Sequence, residues 1–199
     1  MAEEKKEKKG KPKRTVDKWK KKKWFTIYSP KLFDQKIVGE TVAEKPELLK
    51  DRIISVSARD VTNQPRKQHV SFNFKIKDVQ GLKAYTELVG HEVKPSFLKR
   101  LIRRRSSKIE TNQVVQLKNG NKASVKTVVL SMKKLRERQK TAIRKIIIQK
   151  IDYAGKKKDF DDFVQELVLG HVASKIGNEA KKIALIKRVE VVKSALTKK

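Results

Sequence analysis

Residues 69–78 read His69-Val70-Ser71-Phe72-Asn73-Phe74-Lys75-Ile76-Lys77-Asp78, and this stretch decides the fold class. Val70, Phe72, Phe74 and Ile76 alternate with Ser71, Asn73, Lys75 and Lys77. Side chains of a strand point to opposite faces in turn, so this period of two describes a sheet with one buried and one wet, basic face. Gly81 ends the run, and residues 82–90 read as a further strand. A hairpin lies downstream, with 111–118 (Val115, Leu117) and 122–130 (Ala123, Val125, Val129) joined by Asn119-Gly120-Asn121. The Asn-Gly pair tolerates the positive φ that tight hairpin turns demand.

Upstream, the aromatic, β-prone segment Trp24-Phe25-Thr26-Ile27-Tyr28 ends at Ser29-Pro30, a turn signal, and residues 36–43 allow a second short strand. Pro46 opens a short helix, and Ile54, Val56 and Ala58 define one face of another strand, followed by a turn at Gln64-Pro65. Lys94-Pro95-Ser96 begins a helix to about Arg104, with Phe97, Leu98, Leu101 and Ile102 on one side. From Lys133 to about Lys150 the period is again helical, until Gly155 and a lysine run interrupt it. Asp159 then caps a helix to about Ile176, its stripe formed by Phe160, Phe163, Val164, Leu167, Val168 and Val172. Gly177 punctuates, a short helix runs through Ala184, and a strand around Val189, Val191 and Val192 closes the pattern. Strands first and mostly helices later predict an α+β fold on an antiparallel sheet, as a single domain over 24–199. Trp24 and its neighbours are expected in the core.

Charge bounds the function. The chain of 199 residues carries 52 Lys and Arg against 22 Asp and Glu, a formal charge of +30. Such a chain repels itself and calls for a polyanion, of which nucleic acid is the abundant one. No apolar stretch approaches the roughly 20 residues of a membrane span, and none follows the basic start as a signal peptide requires. The reading is therefore a soluble, intracellular protein with no membrane partner. The absence of Cys excludes disulfides, thiolate metal sites and cysteine nucleophiles.

Nothing in the pattern asks for catalysis, a cofactor or a small-molecule substrate. His69, His91 and His171 have no second ligand at metal spacing; His171 falls on the apolar stripe and reads as a core or edge residue. Gly39, Gly81, Gly90 and Gly120 are isolated and make no phosphate loop, and a helix start explains Asp159, Asp161 and Asp162.

Three basic stretches carry the functional reading. Residues 1–23 hold twelve Lys or Arg and four Asp or Glu. Too little apolar surface is available there to offset chain entropy, so the arm is expected to be disordered when free and to order on RNA. Lys20, Lys21, Lys22 and Lys23 belong to it, and Trp19 is the candidate for stacking on an unpaired base. The second stretch, 94–108, has Lys94, Lys99, Arg100, Arg103, Arg104, Arg105 and Lys108 and no acid. Its arginines beside Ser106 and Ser107 offer forked donors and hydroxyls to phosphate oxygens. The third, 133–150, presents Lys133, Lys134, Arg136, Arg138, Lys140, Arg144 and Lys145 on a helix. No aromatic Gly-rich or GxxG signature of a sequence-reading RNA module is present, which favours recognition of folded RNA by shape and phosphate.

The stretches KKKWFTIYSPKLF (from Lys21), ISVSARDVT (from Ile54), FNFKIKDVQG (from Phe72), LKRLIRRRSSKIE (from Leu98) and DFVQELVLGHVASKIGNEAKKI with IKRVEVVKSAL (Asp162 to Leu196) occur in an order that resembles a known family. It is the small-subunit ribosomal protein family called S-three-A-e, or eukaryotic-type S-one, and the short length resembles its archaeal members. The resemblance implies a cytoplasmic protein on the platform of the small ribosomal subunit, near the messenger exit, held by ribosomal RNA and neighbouring ribosomal proteins. It also implies a barrel-like sheet with helices around it, and no catalytic residue or required cofactor. A free RNA- or chromatin-binding protein and an RNA-modifying enzyme are the competing classes.

Overall fold

A computed structural model of the chain describes residues 19–197. Among the described residues, eight strands form one sheet: β1 (Lys23–Tyr28), β2 (Ile37–Ala43), β3 (Ile53–Ser57), β4 (Val70–Gln80), β5 (Lys83–Val93), β6 (Lys108–Gln116), β7 (Lys122–Ser131) and β8 (Ile186–Thr197). Five α-helices accompany them: α1 (Ala58–Thr62), α2 (Pro95–Leu101), α3 (Glu137–Lys157), α4 (Phe160–Leu169) and α5 (His171–Ala180). The antiparallel α+β reading therefore holds. The sheet is open: among the described residues no pairing joins β6 to β2 or β3.

The β4–β5 hairpin is the hub. Val70, Phe72, Phe74 and Ile76 are all buried, as their alternation requires, and the chain reverses through Gly81, whose φ of 60° suits glycine. The other edge of β5 is shared. Its first residues pair in parallel with β1 (Lys83 opposite Thr26), and its last pair antiparallel with β8 (Gly90 opposite Ala195). A Cβ at Gly90 would stand 2.0 Å from the Ser194 carbonyl oxygen, so β8 reaches β5 only because that position has no side chain. Beyond β8 the sheet continues through β7 to β6.

The main core lies between the sheet and the helices. Ile143, Ile147 and Ile151 of α3, Phe163, Val164 and Leu167 of α4, and Ile176 of α5 join Phe72, Phe74, Val125 and Val129 in it. Each such side chain contributes about 1.5–3 kcal/mol on burial. Phe25, Ile27, Leu49, Ile76 and Ala84 form a smaller cluster under β1.

Several local expectations are corrected. Ala58 and Arg59 leave the strand and open α1. Helix α2 stops at Leu101, and Ile102, in extended conformation at its end, is 39 % exposed, so it is no anchor. Helix α3 starts at Glu137, leaving Lys133 and Lys134 outside it, and runs on through Gly155. Gly155 is buried, and a Cβ there would meet Val115 Cγ1 at 2.3 Å; it is a contact point of helix on strand, not a breaker. The helix expected over 159–176 is two, divided at Gly170 with φ 90°. The break resets the phase, so His171 opens α5 exposed instead of continuing the stripe. Gly177 sits buried inside α5, which runs to Ala180. Asp159 occupies the N-cap position of α4 but makes no side-chain capping bond. In β1, Phe25 and Ile27 take the inner face, which turns Trp24 outward, 64 % exposed.

Candidate nucleic-acid interface

The second and third basic stretches meet at a buried serine pair. Ser107, ahead of β6, donates its N–H to Ser131 Oγ at 2.9 Å, and Ser131, the last residue of β7, donates its N–H to the Ser107 carbonyl at 3.0 Å. Ser107 Oγ then accepts the Leu135 N–H at 2.9 Å, and Ser131 Oγ donates to the Lys133 carbonyl at 2.5 Å. These bonds hold the segment 103–108 against the segment 131–136, so Arg103, Arg104 and Arg105 lie next to Lys133, Lys134 and Arg136 in the fold, all exposed.

The arginine segment is itself held. Ser106 Oγ donates to the Arg103 carbonyl at 2.6 Å, and Lys187 Nζ of β8 donates to the Leu101 carbonyl at 3.2 Å. Phe97, Leu98 and Leu101 pack half-buried on the main core. Arg105 adopts φ 62°, a left-handed conformation that glycine takes without the roughly 1–2 kcal/mol cost paid by other residues.

The cations are not equivalent. Lys99, Arg100, Arg103, Arg104, Arg105, Lys133, Lys134 and Arg136 make no ion pair with a carboxylate among the described residues, and Arg138, Arg144 and Lys145 make none either. Lys108 is ion-paired with Glu110, whose carboxyl it holds below the ordinary range, chiefly by a hydrogen bond. Lys140 is ion-paired with Glu137 at 2.5 Å. The helix does not present one basic face. Arg138 and Lys145, two turns apart, are exposed opposite the buried isoleucines, while Lys140 and Arg144 flank the buried side and are only partly exposed.

Lys20–Lys23 are exposed at the start of β1, and Lys22 Nζ stands 4.1 Å from the centre of the Trp19 ring. Because β1 runs parallel to the start of β5, this group lies at the opposite end of β5 from Lys94, about 30 Å along an eleven-residue strand. The basic stretches thus resolve into one band at the α2–β6–β7 end and a separate cluster at the start of β1. Residues 1–18 of the expected arm lie outside the described residues.

Two pairs escaped the sequence reading. Of Arg66 with Lys67, and Lys187 with Arg188, the β4–β5 and β8 pairings bring Arg66, Lys187 and Arg188 beside α2, while Lys67 Nζ lies near Gly170; the signal was two short acid-free dipeptides far apart in the chain. Among the described residues no group of three or more His, Asp or Glu could hold a metal ion, and no helix is long and apolar enough to cross a membrane.

Fold and surface together define a strongly basic α+β protein whose exposed Arg103–Arg105 lie in a loop hydrogen-bonded to one end of the sheet. The chain belongs to the Ribosomal S3Ae family, whose model matches residues 10–199. It is 34 % identical over 186 residues to small ribosomal subunit protein eS1 of Methanothermobacter thermautotrophicus, covering 94 % of this chain and 95 % of that one. It is 41 % identical over 178 residues to the protein of the same name from Methanococcus vannielii, covering 89 % of this chain and 81 % of that one.

Proposed function

We propose that this protein is a structural constituent of the small ribosomal subunit that binds folded ribosomal RNA. The observation that carries the reading is the basic band: exposed arginines and lysines from two separate segments, free of carboxylate partners among the described residues and fixed on one another by the Ser107–Ser131 bonds. Rigid placement lowers the entropy lost on binding, and guanidinium forks suit phosphate oxygens. Family membership supports the ribosome as the setting, in the cytoplasm, with ribosomal RNA and neighbouring ribosomal proteins as partners and no chemistry of its own. The platform near the messenger exit is the position proposed within the subunit.

Residues 24–199 act in this reading as one α+β domain and residues 1–23 as a second RNA-binding element. Trp19 and Lys20–Lys23 engage RNA at a distance from the band, so the protein bridges two RNA sites. The test is sedimentation of cell extract from the source organism. One copy of the protein per small subunit, retained at moderate salt and released at high salt, supports the reading. Migration with free RNA, chromatin or the soluble fraction instead would identify a binder outside the ribosome.

A further inference from the structure

Beside the band lies an open cleft of about 620 Å³ lined by Pro65, Arg66, His69, Lys94, Phe97 and Arg100, with Arg188 closing it. Two features set it apart from a merely basic surface. The first is a ring stack: His69 and Phe97 lie with centroids 3.8 Å apart and planes 21° from parallel. The second is the ring of cations about that stack. The guanidinium carbons of Arg188 and Arg100 stand 5.1 and 5.8 Å from the centre of the Phe97 ring. Arg66, Lys94 and Arg100 make no ion pair among the described residues, and Arg188 meets Glu190 only through Nε, at 2.5 Å. Its terminal nitrogens have no hydrogen-bond partner among the described residues.

We infer that this cleft receives one unpaired nucleotide of an RNA, its base packed on the His69–Phe97 stack and its phosphate held by Arg66, Lys94, Arg100 and Arg188. The inference rests on the RNA-binding reading above and names the kind of RNA element that one part of the surface takes. A duplex buries its bases and offers only backbone, for which a flat cationic surface suffices. An aromatic platform adds affinity only where a base is free to stack. The cleft is within the range of small-ligand sites, and the mixture of a planar apolar floor with several cations matches a nucleotide, which carries ring and anion together, better than an acidic peptide, whose carboxylate side chains have no ring to stack. Burial lowers the pKa of His69, so at neutral pH the imidazole is an uncharged stacking partner and the charge comes from the surrounding arginines and Lys94. The backbone supports the site: Lys94 donates its N–H to the His69 carbonyl at 2.9 Å, tying the two sides of the cleft together.

The test uses the purified full-length chain, with a labelled single-stranded oligoadenylate and a blunt RNA duplex as probes, read by fluorescence anisotropy at one salt concentration. His69→Ala and Phe97→Leu should each weaken single-strand binding about tenfold and leave duplex binding unchanged, while His69→Phe should retain wild-type affinity. His69 is only half-buried, so His69→Ala keeps the comparison sound where Phe97→Leu lowers the melting temperature. If both aromatic variants bind the single strand like wild type, or if an oligoglutamate binds as tightly as the oligoadenylate, the nucleotide site is wrong though the interface stands. If wild type binds neither RNA, the broader reading fails with it.

Discussion

Ser107 and Ser131 are hydrogen-bonded to each other through both backbones and the Ser131 hydroxyl, at 2.9 Å from Ser107 N–H to Ser131 Oγ and 3.0 Å from Ser131 N–H to the Ser107 carbonyl. Both are buried, one where the chain enters β6 and the other where it leaves β7. The pair therefore fixes the register of the two loops that carry Arg103–Arg105 and Lys133–Arg136.

Replacing Ser131 with Ala removes the hydroxyl with little change of volume, which leaves the Ser107 N–H buried without an acceptor. An orphaned buried donor costs about 1–3 kcal/mol. Urea unfolding of Ser131→Ala should show a loss of that size. An unchanged midpoint in the Ala variant would mean that the loops are held by something else.

Gly155 should resist the usual helix-stabilising substitution. Gly→Ala inside a helix ordinarily gains up to about 1 kcal/mol. Here the added methyl meets Val115 Cγ1 at 2.3 Å, and Val115 is buried and stiff at its branched Cβ. Overpacking of this kind costs about 1–3 kcal/mol, so Gly155→Ala should destabilise. Combining it with Val115→Ala, which vacates the space, should cost less than the two single changes summed. Strict additivity in that double-mutant cycle would refute the contact.

His91 gives the fold an acid-sensitive point. Its ring is fully buried, with Nε2 donating to the Val191 carbonyl at 3.1 Å and Nδ1 accepting from Ser194 Oγ at 2.6 Å. Burial pushes its pKa down to about 4. The unfolded chain takes up a proton near pH 6.5 and the folded chain does not, so stability is lost as pH falls between those values. The loss from this one group is about 3 kcal/mol. Unfolding free energies at pH 7 and pH 4.5 should differ more in wild type than in His91→Asn; an equal difference would remove His91 from the acid limb.

How much of this was legible beforehand depended on whether the signal was local. Val70, Phe72, Phe74 and Ile76 declared β4 because their alternation needs no partner to be read, and Asn119-Gly120 declared the β6–β7 turn. Gly155 and Gly170 look alike in sequence. One is a buried helix–strand contact and the other a helix break, and only the position of Val115 distinguishes them. Trp24 misled because aromatic content outweighed phase: Phe25 and Ile27 claim the inner face and leave it outside. The arginine stretch 103–105 was visible as charge, but its junction with 133–136 depended on Ser107 and Ser131, 24 residues apart. The His69–Phe97 cleft was invisible, since two strand pairings, β4–β5 and β5–β8, assemble it.

The central claim is that Arg103, Arg104 and Arg105 face RNA, and the most direct measurement is incorporation of variants into small subunits beside their thermal melting. These side chains are exposed and lie past the end of α2, so changing all three to Glu should leave the melting temperature nearly unchanged. Incorporation should fall sharply, because the change places three anionic groups against phosphate. Changing all three to Lys keeps the charge but loses the planar fork, and should give a smaller, measurable loss. A Glu variant that melts normally and incorporates like the parent would show that this segment faces solvent, and would contradict the claim.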